Sequence, residues 1–192
     1  MQKSIRIIAY GDSLTYGFPY GHPLSWVAIT EEKTGIPLLN HGSNGSTLKD
    51  LVRRVMEDVI DLKPNYCIVM GGTNDIFTNH RYEFMKENFE ALIKKLQQNK
   101  INPIIGLPPP VLDKKREKEL TKFRNWLKKQ ARAQKLPYID FFSALLNPKT
   151  KTPNRKFFED FAHPNSEGYQ AMAEVSSKVL CNLLGIKSLS QS

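Results

Sequence analysis

Cysteine is nearly absent from this chain. Cys67 and Cys181 are the only two, one in an apolar strand-like run and one in a helix-like run. That excludes a disulfide framework and fits a reducing compartment. Long apolar runs are missing too. None approaches the length needed to cross a bilayer, and Gly11-Asp12 interrupts the apolar core a signal peptide would need. We therefore expect a cytoplasmic protein with no membrane insertion. No clustered metal-ligand spacing and no phosphate-cradling glycine loop occur, so neither metal nor cofactor is expected. Repeats, linkers and low-complexity segments are also lacking. The 192 residues are expected to form one domain over 1–186, followed by a short tail at 187–192.

Acidic residues are scarce in one place, residues 114–135. Ten Lys or Arg stand there against Glu117 and Glu119, so this segment carries +8 of the formal +9. Leu120, Phe123, Leu127 and Ala131 repeat at helical spacing. The segment reads as a surface helix with a solvated basic face. A contact with nucleic acid, acidic lipid or an anionic substrate is the alternative.

What the chain does contain is an alternation of strand and helix. A β-branched run that begins at Ile5 stops at Gly11, and Asp12-Ser13 follows at once. Further strands are expected at 37–40, 66–70, 103–107 and 136–140. Helices are expected at 24–33, from Leu48 to Val59, from Tyr82 to Leu96, over 114–135 and over 166–184. Strands separated by helices argue for a parallel sheet between helix layers. In such a sheet, ligands bind at the carboxyl ends of the strands.

Four polar segments fall at that edge. They are Gly11-Asp12-Ser13, residues 40–45, Gly71-Gly72-Thr73-Asn74-Asp75, and Asp160-Phe161-Ala162-His163-Pro164. Together they supply a hydroxyl, glycine amides, a carboxamide and an Asp-His pair. This is an inventory for acyl transfer. A serine hydroxyl attacks a carbonyl only when a base removes its proton. Imidazole exchanges protons near neutral pH, and Asp160, three residues before His163, is placed to orient it. His22, His41 and His80 have no comparably placed acid. Asp75 adjoins the asparagine and is expected to brace that loop.

These blocks, in this order and at these separations, resemble the SGNH hydrolases, also called GDSL esterases and lipases. The resemblance covers essentially the whole chain. It implies a flavodoxin-like three-layer α/β/α sandwich with a five-stranded parallel sheet. It places the nucleophile on Ser13, the base on His163 and the orienter on Asp160, with an oxyanion hole from Ser13, Gly45 and Asn74. Gly42 competes with Gly45 for that place. Thr15 stands where a Gly-x-Ser-x-Gly elbow would have its last glycine, which argues against the α/β-hydrolase fold.

The activity expected from the resemblance is hydrolysis of short-chain carboxylic esters by a cofactor-free serine esterase. Deacetylation of acetylated carbohydrates is the alternative, with lysophospholipase and thioesterase activity behind it. A non-catalytic binder using the basic helix on nucleic acid or acidic lipid is the rival from another class, although no nucleic-acid partner is expected. A small-molecule ester is the expected partner, with Phe18, Tyr20, Phe77, Phe157 and Phe161, and beside them Phe158, as pocket walls. Oligomeric state is left open.

Overall fold

A computed structural model describes residues 5–186 and Leu189. The tail expected at 187–192 thus lies outside the described residues, Leu189 excepted. Five strands form one parallel sheet: β1 (Ile7–Gly11), β2 (Leu38–Gly42), β3 (Tyr66–Met70), β4 (Asn102–Leu107) and β5 (Tyr138–Asp140). Their spatial order is β2-β1-β3-β4-β5, the flavodoxin-like winding. β1 pairs with β2 and β3, in register from Ile7 opposite Leu38 and Tyr66. From β1 the chain goes outward to β2 and then crosses back to β3 on the other side. Loops leaving β1 and β3 therefore part beside each other, and such a switch point is where open α/β sheets bind their ligands.

The helices between strands are α1 (Ser13–Tyr16), α2 (Trp26–Thr34), α3 (Leu48–Val55), α4 (Thr73–Phe77), α5 (Tyr82–Gln98), α6 (Lys114–Ala133), α7 (Phe141–Ala144) and α8 (Ser166–Leu184). Alternate side chains of a strand point to opposite faces, and two cores result. Ile8, Tyr10, Cys67, Val69, Ile105 and Leu107 face the apolar stripes of α3, α5 and α6. Ile7, Ala9, Ile68, Met70, Ile104 and Ile139 face α2, α7 and α8. Burial on both faces explains why these strands read as unbroken apolar runs.

Helix ends follow local chemistry. Ser25 caps α2, accepting from the Ala28 N–H at 3.3 Å, and Gly35 ends it in the left-handed conformation. Thr47 and Asp50 form a reciprocal capping box at the start of α3. That helix then widens into a π turn, Met56–Ile60, where a plain helix to Val59 is expected from the sequence. α4 is a second departure, since glycines and polar residues there read as a loop. Among the described residues, no helix is long and apolar enough to cross a membrane.

Candidate active site

The turn after β1 is built by Asp12. Its carboxylate oxygen Oδ1 accepts the Leu14 N–H at 3.0 Å, and its carbonyl accepts from Thr15 and Tyr16. One helical turn results, with Ser13 at its first position and its backbone N–H unpaired among the described residues. The other carboxylate oxygen of Asp12 is buried and has no partner among the described residues. Burial, with Asp75 nearby, pushes the carboxyl up to about 7. Between its ordinary 3.8 and about 7, the folded chain holds a proton that the unfolded chain has lost. Stability therefore falls as pH rises through that window, by a total of order 4 kcal/mol. Denaturant unfolding should show Asp12→Asn gaining on the wild-type chain by this order between pH 4 and 8. A difference that stays constant with pH would mean that Asp12 remains ionised throughout.

Residues 158–164 form a tight loop rather than the helical turn that the spacing of three suggests. Phe158 and Pro164 pair as an antiparallel bridge, and the Glu159 N–H reaches the His163 carbonyl at 2.9 Å. Inside it, Asp160 Oδ1 accepts the N–H groups of Ala162 and His163, both at 2.7 Å. Asp160 Oδ2 lies 2.8 Å from His163 Nδ1, and His163 Nε2 lies 3.0 Å from Ser13 Oγ. Burial raises the Asp160 carboxyl, but these N–H donors and His163 outweigh it and hold it below the usual range. An ionised carboxylate can only accept, so Nδ1 carries the proton and Nε2 is left to accept from Ser13. The line Asp160–His163–Ser13 can thus draw a proton from the serine hydroxyl, which is nearly buried.

The two candidate glycines have different surroundings. Gly42 ends β2, its N–H is taken by Asn40 Oδ1 at 2.9 Å, and a Cβ there would run into the Tyr16 backbone. It is a packing glycine. Gly45 has φ +75 and open space around it, and its N–H has no partner among the described residues. Gly45 is thus the one with an amide to offer.

Asn74 follows the left-handed Gly72 at the start of α4, after β3. One hydrogen of its Nδ2 goes to the Ser46 carbonyl at 3.0 Å, and an amide nitrogen carries two. Residues 43–48 are pegged twice more. Arg54 Nη1 donates to Ser43 Oγ at 2.7 Å, and the Leu48 N–H donates to Asp75 Oδ2 at 3.0 Å. Buried Asp75 also lies 3.1 Å from His80 Nδ1, so His80 does have an acid, contrary to the sequence expectation. Nothing in the spacing alone reveals the Arg54 and Ser46 contacts. Arg54 could be suspected only from its place one face away from the apolar stripe of α3.

The aromatic wall residues are divided. Phe18 lies 4.6 Å from the His163 ring, centroid to centroid, and the buried Tyr169 hydroxyl holds its carbonyl at 2.7 Å. Phe161 is 54% exposed and lies 5.3 Å from Phe77. Tyr20 sits at the rim and donates to Glu159 at 2.6 Å. Phe157 and Phe158 do not join them. Phe158 is buried, and Phe157 packs against the core under α8 with Lys156 over its ring. Among the described residues, no three His, Cys, Asp or Glu side chains gather as a metal site.

Known proteins of this shape exist. The model of the GDSL-like lipase/acylhydrolase family matches residues 9–171. A G-D-S-L family protein from Desulfitobacterium hafniense DCB-2 superimposes with a TM-score of 0.84. It is 28% identical, over 91% of this chain and 98% of that one. The uncharacterized lipoprotein YqeF of Bacillus subtilis (strain 168) is 32% identical over 120 residues, 56% of this chain and 49% of its own length. An acetylxylan esterase of Geobacillus stearothermophilus is 38% identical over 68 residues, 32% of this chain and 31% of its own. The matches therefore span about half and about a third of these two curated relatives.

Proposed function

This chain belongs to the GDSL-like lipase/acylhydrolase family, and from that membership we propose that it is a serine esterase acting on short-chain carboxylic esters. The observation that carries the reading is the unbroken line from Asp160 Oδ2 through His163 to Ser13 Oγ, at 2.8 and 3.0 Å. As Oγ bonds to the ester carbon, its proton passes to Nε2. The new imidazolium is stabilised by Asp160 across Nδ1–H. Negative charge on the carbonyl oxygen is met by the N–H groups of Ser13 and Gly45 and the second Asn74 hydrogen. His163 then returns the proton to the departing alkoxide, leaving an acyl-serine. Water repeats the sequence, releases the acid and restores the Ser13 hydroxyl.

Deacetylation of a carbohydrate is the second reading. Open aromatic faces at Phe18 and Phe161 favour it, because exposed apolar surface beside a reactive group marks a binding site. The acetylxylan esterase relative points the same way. A cytoplasmic setting is kept as part of the proposal, on the two buried free thiols. The relative named a lipoprotein speaks for another compartment.

A p-nitrophenyl ester series from acetate to decanoate, run beside acetylated xylose, tests both. We expect acetate to be turned over fastest and decanoate slowest. Rates that climb with chain length would overturn the short-chain reading, and no turnover of any ester would overturn the esterase reading.

A further inference from the structure

We propose that the solvent face of α6 docks an acidic polysaccharide and that the esters presented to Ser13 are borne on that polyanion. The inference rests on the esterase reading above and narrows its substrate class.

Charge placement is the first support. Of the cations on and just after α6, Arg124 is buried with Glu117, Lys122 pairs with Glu119, Lys128 with Asp140 and Arg116 with Asp113. Lys114, Lys115, Lys118, Lys129, Arg132 and Lys135 remain exposed and pair with no acid among the described residues. Lys114, Lys118, Lys129 and Arg132 fall within an arc of about 60° at 3.6 residues per turn, along about 27 Å of helix. This is a track of one sign, not a scatter.

The chemistry of that face selects the occupant. The apolar stripe on the opposite face of α6, Leu120, Phe123, Leu127 and Ala131, is buried, and no large exposed apolar side chain lies on the helix. A helix that settles into a bilayer needs such residues outward. Single-stranded nucleic acid needs aromatic platforms, and Trp126 is stacked on Phe123 instead. A hydrated polyanion asks for neither.

The third support is connection to the site. α6 starts at the carboxyl edge of the sheet, after β4. Its approach is tied to the triad loop, since the Leu112 N–H donates to the Phe161 carbonyl at 2.8 Å. The Arg116 guanidinium lies over Phe77 at 4.4 Å, and Phe77 lies 5.3 Å from the exposed Phe161. Phe161 is two residues from His163. A chain held on the first turns of α6 thus lies beside the exposed Phe161 ring, on the loop that carries His163.

The test compares acetylated polygalacturonate, acetylated xylan and p-nitrophenyl acetate, using wild type and the Lys114→Gln/Lys118→Gln/Lys129→Gln/Arg132→Gln variant. The ratio of kcat/KM on acetylated polygalacturonate to that on p-nitrophenyl acetate should fall about tenfold in the variant, through KM. Raising salt from about 50 to about 300 mM should lower the wild-type ratio similarly. The xylan ratio should stay within about twofold. Equal falls on xylan and polygalacturonate, or no fall on either, would overturn the proposal. So would tight salt-sensitive binding to phosphatidylglycerol vesicles or RNA without preference for acetylated polygalacturonate. If the wild type turns over p-nitrophenyl acetate but shows no polyanion preference, only this inference fails. Inactivity on p-nitrophenyl acetate would remove the esterase reading itself.

Discussion

Ser13→Ala is expected to lower kcat on p-nitrophenyl acetate by roughly 10⁴- to 10⁶-fold, with little change in melting temperature. The hydroxyl has one partner, His163 Nε2 at 3.0 Å, and without it the base has no proton to take. The fold has little at stake in the same atom. α1 is capped by Asp12 rather than by Ser13, and alanine is the best helix former for the first position. Steady-state kinetics and thermal unfolding on one preparation give both numbers. A fluorophosphonate should add once to the wild type, at Ser13 by peptide mass, and not to the variant. Retention of more than a tenth of kcat, or a label on Ser43 or Ser46, would remove Ser13 as the nucleophile.

Asn74→Ala is expected to lower kcat by roughly 10²- to 10³-fold, about 2.7–4 kcal/mol, with KM nearly unchanged. A donor that faces the carbonyl oxygen gains strength as charge builds on that oxygen, so its loss belongs to the transition state. Two backbone donors would remain, from Ser13 and Gly45. Taken alone, that favours the lower end of the range. The bond from Asn74 Nδ2 to the Ser46 carbonyl shifts the expectation to the upper end. Alanine removes the donor and also unfastens the loop that carries Gly45. Arg54 and Asp75 still hold that loop from α3 and α4, so global stability should fall by only about 1 kcal/mol. If melting temperature drops sharply while the folded fraction keeps its kcat, Asn74 is a turn residue and not an oxyanion donor.

Most strands and long helices could be read from the chain because their burial is extreme. Tyr66–Met70 is an unbroken apolar run and Ser166–Leu184 carries apolar residues at a period of 3.6, with Pro, Asn or Gly at the ends, and the structure keeps those limits. α4 could not be read. Its Gly-Thr-Asn-Asp sequence favours a turn locally, and contacts of Thr73 and Asp75 with the rest of the molecule decide otherwise. Arg124 was legible in principle, since it falls beside Leu120, Phe123 and Leu127 on the inward stripe. The pairing of Ser13 with His163 and Asp160 was reachable through the resemblance of the four blocks. The three-residue Asp-His spacing alone suggests a helical turn, which the structure replaces with a tight loop. What fastens residues 43–48 was not reachable, because Arg54 and Asp75 act across the fold and no local pattern encodes them.

The hydrogen bond between Ser13 and His163 joins residues 150 apart in the chain. The proposed nucleophile and base are thus brought together from the turn after β1 and the loop before α8. A nascent chain exposes Ser13 early, yet it has no base until residue 163 has emerged and β5 has closed the sheet edge. Contacts of such long separation form late, after the entropy of the intervening loop has been overcome. On the proposed roles, hydrolysis recovered on refolding should report that the turn after β1 and the 158–164 loop have come together. Fragments that end before residue 163 should then show no ester hydrolysis.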